Sequence, residues 1–310
     1  MKPRIVFMGT PDFAVPSLLA LIENDYPVVG VVTATDKRGG RGGKKLLESA
    51  VKRAAIEHDI LVLQPEKLRA PEFLEQLATL KADLQIVVAF RMLPEVVWNM
   101  PTKGTFNLHG SLLPKYRGAA PINWAIINGE QATGLTTFFI QHEIDTGDML
   151  LQASTPIGPN ETAGDLHDRM MNLGATLVVE TVRLIETGDY RLQQQNDELA
   201  CPAPKLHREN LQIDFAQDCQ LVHDFIRGLS PFPAAWTTMN GQVLKIFLSE
   251  IIPGEHSLIP GTIFKEGKQL KVACRGGFLS LLKLQLAGRR RMEVQDFLNG
   301  VEIPENEVLG

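Results

Sequence analysis

The stretch Arg4-Ile5-Val6-Phe7-Met8, running into Gly9-Thr10-Pro11-Asp12, decides the fold. Its apolar core reads as a short buried strand, and the turn after it leads into a helical pattern carrying Phe13, Leu18, Leu19 and Ile22. Val28 to Ala34 supplies a second strand. Strand, helix and strand at this spacing begin a right-handed parallel βαβ unit. The turn holds one glycine where a dinucleotide site wants Gly-x-Gly-x-x-Gly, so the spacing predicts a Rossmann-like shape without NAD binding. The alternation continues through a helix over 46–57, a strand over 61–63, a helix over 71–80 and a buried strand over 84–89. The fold class is therefore α/β with a mostly parallel sheet.

The chain has 310 residues, 44% of them apolar, which is more suggestive of two domains than one. A net charge of -5 argues against uniform coating by nucleic acid but leaves room for local basic surfaces. The first apolar run is too short for a signal peptide and no run spans a membrane, so the expectation is a cytoplasmic protein with no membrane partner. Cys201, Cys219 and Cys274 have no Cys-x-x-Cys spacing, which favours buried or spare thiols over zinc or disulfides. Glu143, Asp145 and Asp148 lack an organised His or Cys beside them, and no metal is expected.

Chemistry concentrates further along, in Phe106-Asn107-Leu108-His109-Gly110-Ser111-Leu112-Leu113-Pro114. On a strand, Asn107 and His109 project to one face and Phe106 and Leu108 to the other, so an amide and an imidazole share a pocket. The apolar run Thr136 to Ile140 leads into Glu143-Ile144-Asp145-Thr146-Gly147-Asp148, whose carboxylates can reach back to an imidazole.

This pattern, Asn, then His two residues on, then Ser-Leu-Leu-Pro, and a later Asp before Thr-Gly-Asp, resembles the folate-dependent formyltransferases. The wording from Ser111 to Ile122 is most similar to the branch that acts on methionyl initiator tRNA. The resemblance implies 10-formyltetrahydrofolate as co-substrate, with the pterin ring held by backbone at Phe90, Arg91, Met92 and Leu93 and at Ile140, Gln141, His142 and Glu143, and with Ser111, Leu112, Leu113 and Pro114 along the same pocket. Negative charge grows on the formyl oxygen as an amine attacks. Asn107 is the expected donor to that oxygen, a kind of contact whose removal costs about 2.7–4 kcal/mol of barrier. His109 is the expected general acid/base and electrostatic stabiliser, and Asp145 its orienting partner and a possible proton relay. Relatives often carry Tyr-Gly where this chain has Phe90-Arg91.

Residues 36–45 hold five basic residues, one acid and four glycines. This is either a solvated flexible loop or one ordered by RNA, with Lys37, Arg38, Arg41, Lys44 and Lys45 on phosphates. The resemblance implies the second, with Arg41-Gly42 where the family probes the acceptor stem, although the family's usual prolines are absent here. Beyond the long helical pattern over 163–187 the periodicity stops, and 189–209 reads as a linker between a catalytic domain over 1–188 and a second domain over 210–310. Short strands with Gly turns predict a small β-barrel there, and the resemblance implies an OB-like one. Between Asn240 and Arg291 stand nine Lys or Arg against three Glu, so Arg289, Arg290 and Arg291 are candidate tRNA contacts, against the blander reading of a solvated barrel face. Other acceptors (glycinamide ribonucleotide, an amino sugar nucleotide, water) and a binding module without catalysis are the alternatives. No heptad or obvious interface is present, so a monomer is the default.

Overall fold

The computed structural model describes residues 1–39, 45–304 and 307–310, with Lys45 described by its backbone alone. Its largest sheet has seven strands: β1 (Ile5–Gly9), β2 (Val28–Val32), β3 (Val62–Leu63), β4 (Leu84–Val88), β5 (Thr105–His109), β6 (Ala132–Phe139) and β7 (Met149–Pro156). They lie in the order β7-β6-β5-β4-β1-β2-β3. From β3 through β5 every pairing is parallel, and β6 joins β5 antiparallel. Every residue of β1 and β4 is buried, which is why β1 reads as an unbroken apolar run and β4 as apolar but for Gln85, rather than as alternation. Gly9 ends β1 because a Cβ there would stand 2.8 Å from that of Ala14 and 3.0 Å from the Val88 carbonyl. Ligand sites of open α/β sheets lie at the carboxyl ends of such strands, and those ends here are Gly9, Val88 and His109.

The expected helix over 46–57 begins later than predicted. Lys45–Leu47 pairs antiparallel with Lys37–Gly39, and the helix starts at Ala50, where the Ser49 hydroxyl accepts from the Lys52 amide. A local cap outweighed the helical pattern of the preceding residues. No helix among the described residues is long and apolar enough to cross a membrane.

The chain resolves into two compact units. One comprises 1–118, 134–155 and 167–202; the other comprises 119–133, 156–166 and 203–310. In the second, the strands Ala235–Met239, Gln242–Pro253, Gly277–Leu286, Gln269–Cys274 and Ile263–Glu266 form an antiparallel sheet in that order. The helix Cys219–Leu229 buries Cys219, Val222, Ile226 and Leu229 in the core of that unit. The chain end bridges the two outer strands. Ile263 donates to the Glu307 carbonyl and Leu309 to that of Gly261, while Gly310 exchanges backbone bonds with Thr238. The sheet thereby closes on itself and its edges are covered.

Candidate active site

Strand β5 carries the candidate pair to a sheet end. Its register sets Asn107 beside Val87 and Phe138, and His109 beside Thr136. Alternation turns Phe106 and Leu108 to the opposite face, where both are buried. Asn107 is half-buried, and its amide makes no hydrogen bond among the described residues, which leaves its N–H groups for a substrate oxygen.

His109 is 5% exposed and held from both sides. Its Nε2 lies 2.8 Å from the Tyr116 carbonyl, and its Nδ1 faces Asp145 Oδ2 at 3.6 Å. A neutral ring donates from one nitrogen only, so a proton can be taken or released on the side toward Asp145 while the Tyr116 bond keeps the ring in place. The same Asp145 oxygen accepts the Gly118 amide at 2.8 Å. Asp145 sits at φ +56, a left-handed conformation that a short polar residue tolerates. Two residues on, a Cβ at Gly147 would fall 1.7 Å from the Phe139 carbonyl, so only glycine lets this loop lie against β6.

The two segments that the resemblance implies for the pterin share a core cluster. Phe90 and Ile140 pack on one core cluster, and His142 meets the Trp98 ring edge-on at 5.5 Å and Glu95 Oε2 at 3.5 Å. Leu93 is buried, whereas Met92, Gln141, His142 and Glu143 are exposed. Arg91, where relatives often have glycine, is turned away from any free role: its guanidinium donates to the Glu66 carbonyl at 3.0 Å and to that of Pro65, and lies over the Phe90 ring. Ser111 to Pro114 are tied into the protein. The Ser111 hydroxyl donates to the Lys115 carbonyl at 2.6 Å, the Leu113 amide donates to Thr136 Oγ1 at 3.0 Å, and Gln152 donates to the Leu113 carbonyl at 2.9 Å. Leu112 reaches the position that a Cβ on Gly134 would take.

Of the basic candidates, Arg41 and Lys44 lie outside the described residues, as does the side chain of Lys45; Lys37 and Arg38 are exposed on their short strand. The one acid of that segment, Asp36, is anchored by Lys52 Nζ at 2.5 Å and Gln64 Nε2 at 2.8 Å, hydrogen bonds that hold its carboxyl below the usual range. In the other unit Arg289, Arg290 and Arg291 are all exposed, yet Arg289 donates to the Gly300 carbonyl and Arg291 lies 3.7 Å over the Phe247 ring. Among the described residues no three or more His, Cys, Asp or Glu gather in a metal-binding group.

Sequence reasoning missed Tyr116, Gly118 and Gln195. Tyr116 and Gly118 act through backbone groups, which carry no side-chain signal, and Gln195 stands in the aperiodic stretch read as a linker.

A mostly parallel sheet with an Asn–His pair at one strand end, faced by an Asp from the loop after β6, is the arrangement of a group-transfer enzyme of the formyltransferase type. The chain belongs to the formyl transferase family: residues 3–182 match the formyl transferase model, and residues 205–302 match that of the formyl transferase C-terminal domain. It is a one-carbon transferase. It is 52% identical, over 97% of its length and 96% of the relative's, to a methionyl-tRNA formyltransferase of Bacteroides fragilis. It is 51% identical, with the same coverage, to a methionyl-tRNA formyltransferase of Flavobacterium johnsoniae. Among solved structures, a sugar 3N-formyl transferase shares the fold at a TM-score of 0.67 and 19% identity, covering 94% of this chain and 100% of that one.

Proposed function

We propose that the chain transfers the formyl group of 10-formyltetrahydrofolate to the amino group of methionyl initiator tRNA, acting as a cytoplasmic monomer. The carrying observation is the Asn107, His109 and Asp145 constellation, with its imidazole fixed on one side and facing a carboxylate on the other. The amine attacks the formyl carbon and the carbonyl oxygen becomes an oxyanion, to which the Asn107 amide donates. His109 accepts the proton of the attacking nitrogen or donates to the oxyanion, and Asp145 stabilises the imidazolium. As the tetrahedral intermediate collapses, the C–N bond to the folate breaks and the departing nitrogen takes a proton. The folate pocket of this reading runs between 90–93 and 140–143, with 111–114 as its supporting wall.

The acceptor follows from near full-length similarity to relatives named for methionyl-tRNA, supported by two basic features, 37–45 and Arg289 to Arg291. In this reading residues 1–188 supply catalysis and 210–310 a tRNA-binding barrel. The deciding assay offers 10-formyltetrahydrofolate with methionyl initiator tRNA, methionyl elongator tRNA or glycinamide ribonucleotide. Rapid transfer to the initiator alone is expected; transfer to the small amine alone would keep the chemistry and remove the tRNA reading. Binding of tRNA is expected to weaken steeply with salt, and less steeply once Arg289, Arg290 and Arg291 are neutralised.

A further inference from the structure

We infer that Gln195 is a positioning residue of the formyl-transfer site, clamping the loop that carries Asp145 to the strap that carries Arg117; the inference rests on the assignment of His109 and Asp145 as the catalytic pair. Gln195 is 8% exposed and all of its amide's hydrogen-bonding capacity is used. Its Nε2 donates to the Asp145 carbonyl at 2.9 Å and to the Gly147 carbonyl at 2.8 Å. Its Oε1 accepts from Arg117 Nε at 3.0 Å and Nη2 at 2.7 Å. Arg117 stands between the two backbone groups that touch the pair, the Tyr116 carbonyl at His109 Nε2 and the Gly118 amide at Asp145 Oδ2. The strap is held from behind by Cys201, whose carbonyl accepts from Arg117 N and whose Sγ accepts from Tyr116 N.

The contacts close a ring from His109 through residues 116–118 to Asp145, and from Asp145 back through Gln195 to Arg117. Within it, Gln195 joins the loop's main chain to the strap by its side chain. Asp145 and Tyr116 both sit at positive φ, at +56 and +61, so neither segment is locked by its own preferred conformation. Gln195 therefore sets the distance between the Asp145 carboxylate and the His109 ring. A displacement of about 1 Å in such a pair costs on the order of 100-fold in rate.

The test uses the full-length protein with enzyme in excess, measuring single-turnover formyl transfer to methionyl initiator tRNA, normalised to folded protein, for Gln195→Leu and Gln195→Glu, each alone and combined with Asp145→Ala. Gln195→Glu keeps the acceptor for Arg117 but sets acceptors against the two loop carbonyls. Both single variants are expected to lower the rate constant of the folded protein about 10- to 100-fold, with the KM for folate and for tRNA within about 2-fold. With Asp145→Ala already present, adding either change is expected to cost less than about 2-fold, because the two residues act as one unit. Single-variant rates within about 2-fold of wild type, losses that multiply in the double variants, or losses carried by KM would overturn the inference. Near-normal turnover by Asp145→Ala alone would instead remove the catalytic pair on which it stands.

Discussion

Each compact unit contains a histidine–aspartate neighbourhood, and the two are built oppositely. In the first, His109 and Asp145 come from a strand end and a loop, and their facing atoms stand 3.6 Å apart. In the second, Asp224 and Arg227 lie one helical turn apart on Cys219–Leu229, bonded at 2.6 Å with side chains 3% and 4% exposed. Gln220 donates to the second Asp224 oxygen, and the Arg227 guanidinium also donates to the carbonyls of Gly158 and Glu161. Beside them His223 bonds Ser249 through Nδ1 at 3.1 Å, while its buried Nε2 has no hydrogen-bond partner among the described residues. The same residue types are set apart differently: the first pair joins a strand end to a loop across 3.6 Å, whereas the Asp224–Arg227 pair is closed within one helical turn and capped by further hydrogen bonds.

The largest separation between the two neighbourhoods is expected from removing the first. His109→Ala and Asp145→Ala should each lower kcat by about 100- to 10,000-fold while melting near wild type, read by formyl transfer beside calorimetry. Asp224→Ala should do the reverse. It leaves the Arg227 charge buried without its partner, a loss of about 3–5 kcal/mol seen as a lower midpoint in denaturant, with kcat of the folded fraction kept.

Acid sharpens the contrast next. Burial pushes the His223 imidazole below its ordinary value of 6.5, against the carboxylates of Asp224 and Glu250 and the Pro159 carbonyl, which raise it, and with Arg227, which lowers it further. The unfolded chain therefore takes up this proton first as pH falls. The contribution is complete above about pH 6.5 and is lost as the medium becomes more acidic, until the folded ring also protonates. His223→Gln should flatten the stability curve just below pH 6.5 in pH-resolved denaturant titrations.

The smallest effect concerns the thiols. Cys219 and Cys274 are buried, and burial pushes both thiols up, whereas Cys201 is half-buried beside the Tyr116 strap. Native protein should take up one equivalent of a thiol reagent and denatured protein three, counted by mass spectrometry.

Much of this was readable along the chain. The run Ile5 to Met8 and the stretch Leu84 to Val88, apolar but for Gln85, named the central strands, since a strand covered on both faces reads as near-continuous apolar sequence. The helix Ala163–Thr187 falls at its predicted bounds. The start of the helix at Ala50 was misjudged, because a capping serine and a strand pairing outweighed a periodic pattern. Arg91, read in sequence as part of a backbone segment, has its side chain engaged by the carbonyls of 65 and 66, and Arg291, a candidate tRNA contact, lies over the Phe247 ring.

The sharing of one face by Asn107 and His109 follows from the two-residue repeat of a strand, a property of consecutive residues that needs no knowledge of the rest of the chain. The choice of Tyr116, Gly118 and Gln195 as their support does not. Gln195 reaches across 50 residues to Asp145 and 78 to Arg117, and both Tyr116 and Gly118 engage the pair by main-chain groups that every residue possesses. Side-chain direction is set by local backbone geometry, whereas a hydrogen-bond partner is set by which distant segment the packed fold brings within 3 Å.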